Sequence, residues 1–194
     1  MDSIGFYDDN SVEYSKMTFG ADMSASRDRF IGHLRPGSRI LDLGCGSGRD
    51  SLAFSAMGFE VTPVDGSEGM CRMAEKNTGL KVRRLLFSEL DYHGCFDGVW
   101  ACSSLLHVPS KELPEIMTKV SEAMVPGGFF YLTFKKGDFE GERDGRYYTD
   151  MTFDLLNGLV KVCGMETVDI WESMQPDRNI VWINAILSNP LFRM

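Results

Sequence analysis

Residues 38–51, Ser-Arg-Ile-Leu-Asp-Leu-Gly-Cys-Gly-Ser-Gly-Arg-Asp-Ser, constrain the fold more than any other stretch of the chain. Ile40, Leu41 and Leu43 make a short apolar run of the kind buried in a parallel sheet, and it gives way to Gly44, Gly46 and Gly48 at alternate positions. Glycine permits positive φ and lets a ligand reach the backbone with no Cβ between them. A helix start just beyond adds N–H groups that have no intrahelical acceptor. The stretch reads as a strand, a nucleoside-binding loop and the first turn of a helix.

Spacing narrows the ligand. A dinucleotide fingerprint has the form G-x-G-x-x-G, its third glycine packing helix against strand while the helix N-terminus faces a pyrophosphate. Here the form is G-x-G-x-G, and Arg49 stands where that third glycine belongs. Asp42, just before the loop, would repel a pyrophosphate and suits a ligand that carries an ammonium group. A sulfonium amino acid nucleoside satisfies both conditions. Asp65-Gly66 ends the next apolar run, Phe59–Val64, and Asp65 follows Gly44 by about 20 residues, the βαβ distance at which a carboxylate reaches ribose hydroxyls. Alone, Asp65 would equally be a turn residue ahead of a Ser67 N-cap. Joined to the glycine loop, the ribose role is favoured.

Composition excludes several classes. With 194 residues, 43% of them hydrophobic and 25% charged, the chain suits one ordinary globular domain spanning 1–194. A net charge of −8 and a pI near 4.9 argue against a broad phosphate-binding face, so nucleic acid is not an expected partner. No apolar run approaches the roughly 20 residues of a membrane span, and the first residues are acidic and polar, so a cytoplasmic protein with no membrane contact is expected. Cys45, Cys71, Cys95, Cys102 and Cys163 form no C-x-x-C pair and read as buried thiols, and His33, His93 and His107 are scattered. No protein-bound metal is expected.

Taken in order, residues 1–22 are polar and aromatic and read as a flap or a poorly ordered end. Met23–Leu34 predicts a helix stopped by Arg35-Pro36-Gly37, and Asp50–Met57 and Ser67–Lys76 predict two more. Lys81–Phe87 and Phe96–Ala101 read as strands 3 and 4. Lys111–Met124 has the strongest helical periodicity, and Phe129–Phe134 is an apolar fifth strand. Lys135–Tyr148 is a mixed-charge loop, either simply solvated or a substrate lid. Thr152–Cys163 predicts a last helix, and Met165–Met174 and Asn179–Ser188 predict two strands. The link between them, Gln175–Arg178, is too short for anything but an antiparallel pair.

With these elements in place the chain resembles the class I S-adenosylmethionine-dependent methyltransferases from about Tyr14 to its end. The likeness rests on Leu41-Asp-Leu-Gly-Cys-Gly-Ser-Gly48, Val64-Asp65, Phe96-Asp97 and Val125-Pro-Gly-Gly128. Within that superfamily, Gly-Ser-Gly-Arg-Asp50 is similar to the small bacterial tellurite-resistance type. The resemblance implies a three-layer, Rossmann-like α/β sandwich whose seven-stranded sheet runs 3-2-1-4-5-7-6 with strand 7 antiparallel. S-adenosyl-L-methionine is the implied cofactor and a small-molecule methyl acceptor the implied partner, on a monomer or weak homodimer. Asp42 with the backbone of Gly44, Cys45, Gly46 and Gly48 would hold its methionine part, and Asp65 with Gly66 the ribose. Phe87 would lie near the adenine, Ala101 and Cys102 would line the cleft, and Tyr14 would approach it from the N-terminus. Many relatives carry an aspartate after strand 3 to bind the adenine amino group. Leu86 stands there instead, which leaves that task to backbone groups or to Glu89 or Asp91.

His107 follows the end of strand 4, where the transferred methyl should point, and is the candidate base for an acceptor that carries a proton. The alternative is a histidine hydrogen-bonded to a neighbouring loop. Lys135, Arg146 and Trp182 are further pocket candidates; two arginines near two tyrosines suit an anionic or aromatic acceptor as well as they suit a surface loop. The competing functions are a non-catalytic nucleotide-binding protein of the same fold and an NAD(P)-dependent oxidoreductase.

Overall fold

A computed structural model describes residues 3–175 and 178–190. Its elements, in order, are α1 (Ser3–Thr18), α2 (Ser24–Ile31), β1 (Arg39–Leu43), α3 (Arg49–Ala56), β2 (Glu60–Asp65), α4 (Glu68–Thr78) and β3 (Arg83–Arg84). There follow β4 (Phe96–Ala101), α5 (Leu113–Ala123), β5 (Met124–Lys135), β6 (Glu140–Arg143), β7 (Arg146–Thr149), α6 (Phe153–Val162), β8 (Glu166–Gln175) and β9 (Ile180–Ser188). Seven strands form one sheet in the order β3-β2-β1-β4-β5-β9-β8, all parallel except β9, which runs against both of its neighbours. This is the expected order once the separate β6–β7 pair is set aside. Pro176 and Asp177, the centre of the expected Gln175–Arg178 turn, lie outside the described residues.

Alternation along the central strands explains the three layers. Leu41, Leu43, Val99, Phe130 and Leu132 face α5 and α6, where Ile116, Met117, Val120, Leu156 and Val160 close the larger core. The intervening Ile40, Trp100 and Tyr131 face the other way, onto Phe30 of α2 and Phe54 of α3. Trp100 and Tyr131 stack across adjacent strands, with centroids 3.8 Å apart and rings inclined by 14°.

Four expectations are corrected. Residues 3–18 form a helix. The third strand shrinks to Arg83–Arg84, an exposed basic pair on the sheet edge that pairs with β2. β5 begins at Met124, because a bulge between Phe96 and Gly98 takes Pro126-Gly127-Gly128 into the strand. Lys135–Tyr148 is largely a hairpin, with Glu140 opposite Thr149 and Arg143 opposite Arg146. Its two-residue turn, Asp144-Gly145, has φ of 53° and 75°, the positive pair that a type I′ turn requires.

Candidate functional site

The site lies at the carboxyl ends of β1, β2, β4 and β5, where an open α/β sheet places its ligand crevice. The glycine loop is tied to β2 by its own backbone. Gly44 and Cys45 both donate their N–H to the Val64 carbonyl at 2.9 Å, and Gly46 donates to Asp65 Oδ2 at 2.8 Å. Asp65 Oδ1 accepts the Ser67 N–H at 2.8 Å, so one carboxylate fixes both the loop and the start of α4. A carboxylate has about four lone-pair sites, more than these amides and that of Gly66 use, so acceptor capacity remains for a ligand. Burial raises the Asp65 pKa against the pull of those amides.

Each glycine of the loop has its own reason. At Gly44, with φ of 76°, a Cβ would stand 2.5 Å from Ser104 Cβ and 3.3 Å from the Phe87 ring. Ser104 is fixed there because its hydroxyl donates to the Leu43 carbonyl at 2.7 Å, joining the ends of β1 and β4. At Gly46 the space where a Cβ would stand is open, as a ligand cradle requires. Gly48 faces away from the cleft. A Cβ there would meet Thr78 and Ala74, so it packs α3 onto α4.

Asp42 is also turned from the cleft. Its carboxylate lies on the α3 side of β1, 2% exposed, and accepts the Ser51 hydroxyl. Burial, with Asp50 nearby, pushes its pKa up to about 7. The ammonium-facing role expected of Asp42 therefore finds no exposed carboxylate, because strand alternation assigns this position to the inner layer. Beside it, Asp50 accepts from Arg27 and Arg49, each at 2.6 Å, and from Trp100 Nε1 at 3.0 Å. Burial would raise Asp50, but the two arginines and these hydrogen bonds hold it below the ordinary carboxylate value. Arg49 also donates to Cys102 Sγ at 3.4 Å, tying the start of α3 to the end of β4. The Cys102 thiol is pushed up to about 12 by burial and Asp50, so it stays protonated. Ala101 is fully buried, and Cys45 packs with Cys71 on α4.

The sequence reading missed the part played by α1, which lies across this rim. Ile4 approaches Gly66 and Leu86, and Asp8 accepts the Gly69 N–H at 2.8 Å and the Ser67 hydroxyl at 2.7 Å at the start of α4. At the other side, Tyr7 donates to His107 Nε2 at 2.8 Å, and Tyr14 meets the Tyr7 ring edge-on at 4.9 Å. His107 Nδ1 is 2.7 Å from the Tyr147 carbonyl, which can only accept. Hence Nδ1 carries the proton and Nε2 receives that of Tyr7. Burial, with Arg146 and Lys135 near, lowers the His107 pKa to about 4. Both ring nitrogens are engaged, so His107 is not presented to the cleft as a free base. Glu89 accepts the Leu86 N–H and Asp91 pairs with Arg83; both carboxylates are used locally. Trp182 lies opposite Lys135 in the β5–β9 ladder.

Among the described residues no group of three or more His, Cys, Asp or Glu is gathered as a metal site, and no helix is long and apolar enough to cross a membrane.

Residues 40–128 match the family described as "Methyltransferase domain". Over 104 residues the chain is 35% identical to "Ubiquinone biosynthesis O-methyltransferase" of Dechloromonas aromatica, taking in 50% of this chain and 44% of that one. Over 147 residues it is 31% identical to "27-O-demethylrifamycin SV methyltransferase" of Amycolatopsis mediterranei, 70% of this chain and 50% of that one. The chain thus spans about half the length of these relatives. The fold is also that of the 1,6-didemethyltoxoflavin-N1-methyltransferase of Burkholderia thailandensis, solved with bound 1,6-didemethyltoxoflavin and S-adenosylhomocysteine. That match has a TM-score of 0.78 at 21% identity, over 96% of this chain and 85% of that one.

Proposed function

We propose that this chain, which carries a methyltransferase domain of the class I S-adenosylmethionine-dependent type, moves a methyl group from S-adenosyl-L-methionine to a small-molecule acceptor. The observation that carries this reading is the Asp65 carboxylate at the end of β2, clamped by the Gly46 and Ser67 amides beside the open face of the glycine loop. That acceptor pair fits the hydroxyls of a ribose diol, and the open face of Gly46 fits a ligand lying against bare backbone. Gly44, Gly46 and Asp65 would hold the cofactor, with Phe87 over the loop and Leu86 and Gly66 at its adenine side.

When bound, the cofactor supplies a methyl on an already activated sulfonium, so the chain's own work is alignment and exclusion of water. Orientation of this kind can remove roughly 7–11 kcal/mol from a barrier. Helix α1 and the β6–β7 hairpin would cover the reacting end. Tyr7 would touch the acceptor, and His107 would act as a positioning residue that fixes the Tyr7 hydroxyl. With a pKa near 4, His107 is uncharged at neutral pH, its one proton on Nδ1, and offers only weak basicity. Incubating the purified protein with methyl-tritiated S-adenosylmethionine and a cell extract separated by size tests the reading. Label in the low-molecular-weight fraction supports it; label confined to protein or nucleic acid would refute the acceptor class.

A further inference from the structure

We propose that the space between α1 and the β6–β7 hairpin binds an oxyanion of the acceptor, a carboxylate or phenolate, with Arg146 and Lys135 as its cationic partners. The word acceptor rests on the methyl-transfer reading above, whereas the anion site stands on the geometry alone.

Arg146 opens β7 and points its guanidinium into a box of rings. Its Cζ lies 4.6 Å from the Phe6 centroid, 5.3 Å from that of Tyr148 and 5.9 Å from that of Tyr7. Its one side-chain hydrogen bond among the described residues is long, 3.5 Å from Nη1 to the Tyr7 hydroxyl, which already donates to His107. Nε is buried with no acceptor, and no carboxylate among the described residues forms an ion pair with this side chain. A guanidinium presents five donors in a planar fork, and leaving a buried one unsatisfied is destabilising. A planar guanidinium has the shape that takes a carboxylate with two parallel bonds.

Charge around it points the same way. Three cations converge on one ring: Lys135 Nζ lies 4.0 Å, Arg143 Cζ 4.6 Å and Arg146 Cζ 5.3 Å from the Tyr148 centroid. Arg143 alone has a partner, Asp150 at 2.9 Å; Lys135 has none among the described residues. Of the facing acids, Glu140 accepts from the Ser110 N–H and the Tyr147 hydroxyl, each at 2.8 Å, while Asp150 and Asp144 offset part of the charge on Lys135. Asp144 stands in the hairpin turn, on the rim of a cavity of about 340 Å³ that Lys135, Arg143 and Asp150 also line. Burial and the neighbouring Arg143 lower the Lys135 pKa, the direction expected where positive charge is in excess. In a chain of net charge −8, unpaired cations collected beside Tyr7 and His107 are a local reversal of sign that an anion would balance.

The test uses ¹⁹F NMR line broadening of two matched probes, 4-fluorobenzoate and 4-fluorobenzyl alcohol, on the full chain with S-adenosylhomocysteine present. We expect the carboxylate to bind about tenfold more tightly, with the preference shrinking as salt is added. Arg146→Gln should abolish the preference and Arg146→Lys should keep part of it, without changing affinity for S-adenosylhomocysteine. Lys135→Met, on a different strand, should reduce the preference independently should Arg146→Gln fail to fold. Equal binding of the probes, no carboxylate binding at millimolar concentration, or a preference that survives both Arg146→Gln and Lys135→Met would overturn the proposal. Should S-adenosylhomocysteine itself not bind, the methyl-transfer reading fails, while the probe comparison still decides the anion site.

Discussion

The two sides of the site mouth are held by different chemistry. At the ends of β1 and β2, the glycine loop is fixed by main-chain amides on the Val64 carbonyl and the Asp65 carboxylate, at 2.8–2.9 Å, with Ser104 leaving no room for a side chain at Gly44. At the ends of β4 and β5, α1 and the hairpin are fixed by side chains from three distant segments: Tyr7 on His107, Arg146 on Phe6, and Lys135 on Tyr148. Backbone contacts keep their geometry whatever the neighbours are, so they suit a ligand that does not vary. Side-chain contacts can be exchanged one at a time, which suits the half that chooses an acceptor.

The first way to break this contrast is Gly44→Val. A β-branched residue at φ of 76°, with Ser104 Cβ only 2.5 Å from its Cβ, must distort the loop. Destabilisation of about 3 kcal/mol or more is expected, read as a fall in Tm, together with loss of measurable cofactor binding. The second is Asp65→Ala. Removing the carboxylate frees the Gly46 and Ser67 amides, and calorimetry should show cofactor affinity down by more than about tenfold.

A third change separates the buried frame from the binding surface. Asp42 has its folded pKa raised from 3.8 to about 7, so it stabilises the fold when protonated. That contribution is complete below about pH 4 and is lost as pH rises through 7. Asp50 runs the opposite way: its lowered pKa favours the fold above the ordinary carboxylate range and loses that effect as pH falls. Asp42→Asn should therefore stabilise the chain at pH 8, on the order of 2 kcal/mol, and much less at pH 5, as seen in denaturant midpoints at the two pH values. The smallest effect is expected at the cap. Asp8→Ala removes the acceptor of the Gly69 N–H, and hydrogen exchange should show α1 opening more easily, by about 0.5–1 kcal/mol, with core strands unchanged.

Most of the frame was legible in the sequence because it rests on local rules. The glycine loop, Asp65 at its βαβ distance, the periodic α5 and the closing antiparallel pair all follow from period, turn chemistry and spacing. The hairpin was missed because its apolar and charged residues do not alternate, although Asp144-Gly145 is a type I′ signal that two-residue loops carry. Asp42 was placed just before the loop, facing the ligand's ammonium; counting faces from Ile40 turns its side chain toward α3, where it meets Ser51. Helix α1 gave little signal, since its docking depends on small and polar residues. Ser11 sits about 3 Å from where a Gly69 Cβ would be, and Asp8 caps α4. Long-range partners such as Tyr7 with His107, 100 residues apart, have no sequence signature at all.

Calorimetric titration of the purified chain with S-adenosylmethionine, S-adenosylhomocysteine and NADH tests the central claim most directly. The account predicts saturable binding of both sulfur ligands, lost together in Asp65→Ala, and none of NADH. Binding of NADH without either sulfur ligand would contradict it.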